Sequence, residues 1–198
     1  MGRRNGKPLF DHFGIIAPIY ERVISPPDAA RLVDLLDLQP GDCLLDVGGG
    51  TGRVAKYLEG GVCPVWVLDP SRGMLREVQG RGRLIPCQGA VEGLPFADGA
   101  FSKIVAVDSF HHFENHPRAA QEMLRVLAPG GHLVVEEPDI RRFVVKLVAL
   151  GERLALMRSH FRPPEYLLRL FRTGQTEVSL VEDAPNFWVV VRKAARGL

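Results

Sequence analysis

Apolar and polar positions follow one another along most of the chain in segments typical of alternating strands and helices. Five short apolar runs, each bounded by turn residues, predict buried strands over residues 43–47, 62–68, 84–87, 100–107 and 132–136. Helical patterns separate most of these runs, most clearly over residues 52–58 and 117–127 and from residue 71 onward. Strands that alternate with helices predict a parallel sheet with right-handed crossovers.

The pattern changes after residue 138. Apolar residues spaced four and three apart predict a long helix over 140–160, and a shorter helix is expected over 166–171. Two final apolar runs, 177–182 and 187–192, are joined by a short turn and predict an antiparallel hairpin. We therefore expect an α/β protein with a mostly parallel seven-stranded sheet, an antiparallel C-terminal hairpin edge and helices on both faces.

Composition narrows the class of protein. The chain has 198 residues, of which 46% are apolar, so one packed domain is expected. Its net charge of +2 gives no electrostatic reason to expect a nucleic-acid partner. The basic first residues are not followed by an apolar stretch, and no segment is apolar enough to span a membrane, so a cytoplasmic protein is predicted.

Three cysteines, Cys43, Cys63 and Cys87, lie in or beside predicted strands. They form no CxxC pair and show no metal-ligand spacing. We therefore expect buried free thiols and no metal site.

The strongest chemical signal is a glycine-rich turn that follows the first predicted strand. The apolar run ends in Asp46, and Gly48, Gly49, Gly50 and Gly52 come directly after it. Glycines allow the backbone to pass close to a ligand because no Cβ intervenes. A second acid, Asp69, ends the next apolar run. This order of strand, glycine turn, helix, strand and acid is typical of a nucleoside-binding crevice in a doubly wound sheet.

The glycines alone do not identify the nucleoside. Read from Gly48, the dinucleotide fingerprint G-x-G-x-x-G/A requires a small residue at position 53, where the chain has Arg53. Read from Gly50, the fingerprint is met by Gly52 and Ala55, although two extra glycines then follow the strand. An NAD(P)-dependent oxidoreductase therefore remains an alternative, although no Tyr-x-x-x-Lys pair is present.

Further motifs follow in order: 89–96 (GAVEGLPF), 107–112 (VDSFHH) and 125–131 (RVLAPGG). With the glycine turn and Asp69, they make residues 8–138 resemble the class I S-adenosylmethionine-dependent methyltransferases. Within that class the chain resembles the type 11 group, which includes ubiquinone/menaquinone methyltransferases. The resemblance implies a Rossmann-like fold, S-adenosylmethionine as methyl donor and S-adenosylhomocysteine as product.

The resemblance also implies roles for individual residues. Asp46 would lie beneath the methionyl ammonium and Asp69 would accept hydrogen bonds from the ribose hydroxyls, since a carboxylate offers two acceptor oxygens to a diol. The remaining donor-binding residues would be Gly48, Gly49 and Gly50 along the methionine part, Pro70, Met74, Ala90 and Val91 near the adenine, Asp108 and Ser109 near the sulfonium, and Tyr20 at the methionine end.

Some residues have a structural interpretation as well. Asp69 and Asp108 are also suited to cap helices, and Glu92 is either an acid at the adenine edge or a solvated loop residue. His111 and His112 are the nearest candidates for a general base, but one packed ring and one ring capping the next helix are the simpler interpretation.

We thus expect a single methyltransferase domain over residues 1–198. Its parts would be an N-terminal helical lid (8–38), a donor-binding core (42–138), a helical insertion on the acceptor side (139–175) and closing strands (176–193). The expected function is in-line methyl transfer to a small, hydrophobic acceptor by a monomer or homodimer. A non-catalytic S-adenosylmethionine-binding protein of the same fold is a further alternative, because the motifs report donor binding and not transfer.

Overall fold

A computed structural model describes residues 28–60, 64–142, 145–146 and 159–195. The predicted lid residue Tyr20, Cys63 and most of the predicted 140–160 helix lie outside these residues.

The described elements are, in chain order, α1 (Ala29–Leu36), β1 (Leu44–Val47), α2 (Ala55–Leu58), β2 (Val65–Asp69), α3 (Arg72–Val78), β3 (Leu84–Gln88), β4 (Phe101–Val107), α4 (His116–Val126), β5 (Leu127–Pro138), α5 (Pro164–Phe171), β6 (Thr176–Asp183) and β7 (Asn186–Lys193). Short 3-10 helices cover Val91–Gly93 and Phe110–His112.

The seven strands form one sheet in the order β3-β2-β1-β4-β5-β7-β6. The pairs from β3 through β5 are parallel, while β7 pairs antiparallel with both β5 and β6. This confirms the predicted mostly parallel sheet with an antiparallel hairpin edge. The strand order reverses beside β1, so the carboxyl ends of β1 and β4 flank the crevice where ligands bind in such sheets.

Consecutive strand residues point to opposite faces of the sheet, and both faces are covered. On the α4 face, Leu45 and its neighbours pack against apolar residues of α4 and α5. On the α1 face, Leu44 and its neighbours pack against apolar residues of α1, α2 and α3. The prediction of helices on both faces is confirmed. No helix within the described residues is long and apolar enough to cross a membrane.

Side-chain caps explain where three of the helices begin. Asp28 accepts a hydrogen bond from Arg31 N at the start of α1, and Ser71 accepts one from Met74 N at the start of α3. Asn115 caps α4 in the same way. Each cap satisfies a backbone N–H that has no partner within its helix.

Two local predictions were wrong. The fifth strand was expected to start at residue 132, after the Pro-Gly-Gly segment at 129–131. Instead β5 begins at Leu127, and a register shift between Phe101 and Lys103 of β4 accommodates the segment. Cys43, expected to be buried, is exposed just before β1, while Cys87 is half-buried in the edge strand β3.

The early start of β5 requires glycine at position 131. A Cβ on Gly131 would lie 2.8 Å from the carbonyl oxygens of both Ala128 and Ser102, which are backbone atoms that cannot move independently. We expect Gly131→Ala to lower the free energy of unfolding by at least about 2 kcal/mol in urea titrations. Gly60→Ala is the control, because its Cβ would meet nothing within 4 Å, and it should change stability by less than about 1 kcal/mol. Equal effects of the two substitutions would contradict the steric account.

Candidate functional site

The glycine turn leaves β1 and is fastened to the neighbouring strand. The backbone N–H groups of Gly48 and Gly49 both donate to Leu68 O, at 2.8 and 3.1 Å. Gly48 has a φ of 69°, and a Cβ there would lie 2.7 Å from Ser109 Cβ. Both the left-handed backbone and the close approach of Ser109 require glycine at this position. The turn is thus held between the carboxyl ends of β2 and β4.

Asp46 places a carboxyl group directly beneath this turn. It is 1% exposed, and within the described part of the chain its Oδ2 has no hydrogen-bond partner. A Cβ on Gly49 would lie 2.6 Å from that oxygen, so the glycine leaves the oxygen room. Burial raises the pKa of Asp46 to about 7, although the positive charge of Arg53 opposes the shift. A buried acid of this kind is suited to a cationic ligand group.

Asp69, at the end of β2, links the glycine turn to α3. Its Oδ2 accepts from Gly50 N at 3.1 Å and its Oδ1 accepts from Ser71 N at 2.8 Å. The side-chain cap of α3 is Ser71, so the interpretation of Asp69 as the cap of this helix is wrong. Each carboxylate oxygen can accept more than one hydrogen bond, so Asp69 can also bind a ligand diol.

The residues predicted to lie near an adenine follow β2 and β3. Pro70 and Ala90 are exposed, whereas Met74 and Val91 are buried. Met74 Sδ would be 3.9 Å from a Cβ on Gly50, which places the thioether next to the turn. The structure therefore brings Met74 beside the turn, while Val91 packs in the core on the α4 face.

Glu92 has a role that the sequence did not suggest. Its Oε1 accepts from the backbone N–H groups of Glu114 and Asn115, at 2.9 and 3.1 Å. The carboxylate thus fastens the loop that leads into α4. Glu92 is therefore not a freely solvated loop acid, and its role at the adenine edge stays a prediction.

Asp108 and Ser109 follow β4 and lie against β1 and β5. Asp108 has a φ of 53°, an uncommon conformation for a residue other than glycine, and its N–H donates to Glu136 O at 3.0 Å. Ser109 is buried, and its hydroxyl donates to Val47 O at 3.0 Å. The Ser109 proton is therefore already used to hold the end of β1, which leaves its oxygen as an acceptor.

The two candidate bases, His111 and His112, lie in the 3-10 helix after β4. His111 Nδ1 is 2.6 Å from Glu137 Oε2, and the His111 ring stacks on Phe161 at a centroid distance of 4.2 Å. Glu137 Oε1 accepts from Ser109 N and from the N–H of the following residue. Burial lowers the pKa of His112 to about 3, so this ring is neutral near pH 7.

These contacts revise the simpler interpretation of the histidines. The His111 ring is packed, as expected, but Asn115 caps α4 and neither histidine does so. Glu137, which fixes the His111 ring, was missed in the sequence.

Glu136 was also missed, and it faces the opposite side of the sheet from Glu137. Its Oε1 accepts from Asn186 Nδ2 at 2.7 Å, and its Oε2 has no hydrogen-bond partner among the described residues. Burial raises the pKa of Glu136 to about 7, and Asp108 adds to the shift. Two adjacent acids at the end of an apolar strand run were the signal that could have identified both glutamates.

Comparisons with known proteins agree with this geometry. A family model described as a methyltransferase domain matches residues 45–135. A ubiquinone/menaquinone biosynthesis C-methyltransferase (UbiE) from Cupriavidus necator is 32% identical over 165 residues, covering 73% of this chain and 65% of that protein. A demethylmenaquinone methyltransferase from Paenarthrobacter aurescens is 33% identical over 181 residues, covering 87% of this chain and 66% of that protein.

Solved structures show the same fold. An S-adenosylmethionine-dependent methyltransferase from Mesorhizobium loti matches with a TM-score of 0.71 at 20% identity, covering 83% of this chain and 96% of that one. At this identity the match shows the fold alone. The matches to the two curated relatives span slightly less than two thirds of their length.

The raised pKa of Asp46 predicts how stability depends on pH. The folded protein holds a proton that the unfolded chain releases near pH 3.8, so ligand-free stability falls as the pH rises from 3.8 to 7 and levels off above that. Buried histidines with lowered pKa values change the stability in the opposite direction. Because wild type and Asp46→Asn share these histidines, the difference between their free energies of unfolding isolates the effect of Asp46.

We expect wild type to lose roughly 2 kcal/mol of stability relative to Asp46→Asn between pH 5 and 7 in urea titrations. The exposed Asp34→Asn should show no such change. A pH-independent difference between wild type and Asp46→Asn would show that Asp46 is ionised throughout this range.

Proposed function

We propose that the chain is a class I S-adenosylmethionine-dependent methyltransferase, which transfers a methyl group from S-adenosylmethionine to a small hydrophobic acceptor. One observation carries the proposal: the buried Asp46 Oδ2 has no hydrogen-bond partner among the described residues and lies beneath a glycine turn at the crevice. An ammonium group placed there would supply the missing partner and the compensating charge.

The residues present fit the rest of the donor. Glycines at 48–50 let the backbone approach a bound methionine part, and Asp69 offers acceptor capacity to the two ribose hydroxyls. Met74, buried beside Gly50, provides an apolar contact for an adenine ring. When bound, S-adenosylmethionine supplies an electrophilic methyl group on a sulfonium.

The protein's part in the reaction is to align the acceptor with that methyl group and to exclude water. Alignment of this kind supplies about 7–11 kcal/mol of a reaction barrier. His111 is the candidate base, because Glu137 fixes its ring through Nδ1. A pKa near 3 makes His112 a poor base, so we assign it a packing role against His111.

The acceptor is proposed to be a quinone-type ring. The names of the two curated relatives support this class. In the acceptor-side segment, helix α5 packs into the core on the α4 face, and Phe161 lies against His111. We further propose that residues 8–38 form a lid and that residues 139–175 form the acceptor-side insertion of the single domain.

The alternatives find no support in the comparisons. An oxidoreductase would require a nicotinamide cofactor, and both curated relatives are named as methyltransferases. A protein that binds the donor without transferring its methyl group would still bind S-adenosylhomocysteine, so only product formation separates that alternative from an enzyme.

Calorimetric titration tests the donor site. We expect wild type to bind both S-adenosylmethionine and S-adenosylhomocysteine with micromolar affinity and not to bind NAD. Asp69→Asn should weaken the binding of both S-adenosyl compounds by about tenfold or more, because a hydrogen bond to a charged group is lost. Asp34→Asn, an exposed change on α1, should leave binding unchanged.

A wild-type protein that binds NAD but neither S-adenosyl compound would contradict the proposal. If the donor binds, incubation with reduced naphthoquinones and benzoquinones should produce S-adenosylhomocysteine. Donor binding without product from any of these quinols would contradict the proposed acceptor class.

A further inference from the structure

Two buried polar atoms that have no hydrogen-bond partner among the described residues belong to neighbouring side chains on the α1 face of the sheet. They are Glu136 Oε2 on β5 and Trp188 Nε1 on β7. Glu136 is 8% exposed and Trp188 is 2% exposed, so bulk water does not satisfy either atom. Buried polar groups are nearly always hydrogen-bonded, so two neighbouring exceptions point to a missing partner.

The sheet register places the two side chains together. Glu136 and Trp188 are directly paired across the antiparallel strands β5 and β7, so their side chains leave the same face of the sheet. Trp188 belongs to the apolar cluster on the α1 face, which also includes Leu32 of α1. Asn186 holds Glu136 Oε1, which leaves the second oxygen for another partner.

This pair adjoins the proposed donor site. Arg53, which follows the glycine turn, lies close enough to influence electrostatically both Asp46 and Glu136. Asp108, at the end of β4, influences Glu136 in the same way, and its N–H donates to Glu136 O. The Glu136–Trp188 pair is therefore next to the crevice in which a methyl acceptor would meet the donor.

The chemistry of the two atoms defines what can bind between them. An indole N–H only donates a hydrogen bond, whereas an ionised carboxylate oxygen only accepts one. Above pH 7, where Glu136 is ionised, a carbonyl group would satisfy only Trp188 and an ammonium group would satisfy only Glu136. A hydroxyl group satisfies both, because its oxygen accepts and its proton donates.

We propose that Glu136 and Trp188 form a subsite that binds a hydroxyl group of the methyl acceptor. The inference rests on the proposed function and assigns two residues that select the acceptor. In this arrangement the hydroxyl oxygen accepts from Trp188 Nε1 and the hydroxyl proton is donated to Glu136 Oε2. The apolar body of the acceptor then extends from this subsite toward the donor.

Equilibrium dialysis with a matched pair of probes tests the subsite. The probes are a naphthol and the methoxynaphthalene with its oxygen at the same ring position, each measured with saturating S-adenosylhomocysteine. The ratio of the two dissociation constants reports recognition of the O–H group. Wild type should prefer the naphthol by about tenfold, a factor typical of a buried hydrogen bond.

Trp188→Phe removes the donor and keeps an aromatic ring, and Glu136→Gln removes the charge and keeps the size. Each should reduce the preference to about threefold or less. Trp66→Phe is the matched control, because Trp66 is half-buried against Phe96 on the other face of the sheet, and it should keep the wild-type ratio. Binding of S-adenosylhomocysteine to each variant checks that the variant is folded.

The outcomes separate this inference from the proposed function. A wild type that fails to bind S-adenosylhomocysteine contradicts the proposed function itself. A wild type that binds S-adenosylhomocysteine, but shows no preference for the naphthol or does not bind it, overturns the subsite alone. An unchanged ratio in the folded variants also overturns the subsite, because the two side chains then do not recognise the hydroxyl group.

Discussion

The buried carboxyl group of Asp46 is the constraint around which the site is arranged. A strand covered on both faces ends in an acid whose Oδ2 has no hydrogen-bond partner among the described residues, an arrangement that costs stability in the absence of a ligand. The adjacent glycine turn approaches that oxygen closely because no Cβ intervenes, and Leu68 and Asp69 of the neighbouring strand fix the turn by hydrogen bonds. The buried carboxyl group favours a ligand with a positive charge, because such a ligand offsets the cost of its burial.

The end of β5 extends this arrangement across the crevice. Because side chains alternate along a strand, the adjacent acids Glu136 and Glu137 serve opposite faces of the sheet. Glu137 fixes the loop after β4 and the ring of His111, so it gives the site rigidity. Glu136 keeps an oxygen available beside Trp188 and next to Arg53. A single strand end thus provides both support for the loop and a polar contact for a ligand.

Much of the fold was predictable from the sequence, because apolar runs bounded by turns indicate buried strands whatever the tertiary context. The early start of β5 was not, since Pro129 and Gly130 normally mark a turn, whereas here they lie in the irregularity between the Phe101–Leu127 and Lys103–His132 pairs. In the site, Asp46 and Asp69 were identified as candidate binding residues because each ends an apolar run of the sequence. The partners of His111 and Glu92 were missed, because they depend on which side chains face each other across the sheet, and the order of residues along the chain does not contain this information.

The number of protons released when S-adenosylmethionine binds tests the central claim most directly. Calorimetry at pH 6 in several buffers of different ionisation enthalpy measures this number. Asp46, whose pKa is about 7 without ligand, should give up close to one proton as the ammonium group approaches. Asp46→Asn should abolish the release. Binding of the donor with no proton release by wild type, or with the same release by Asp46→Asn, would contradict the account.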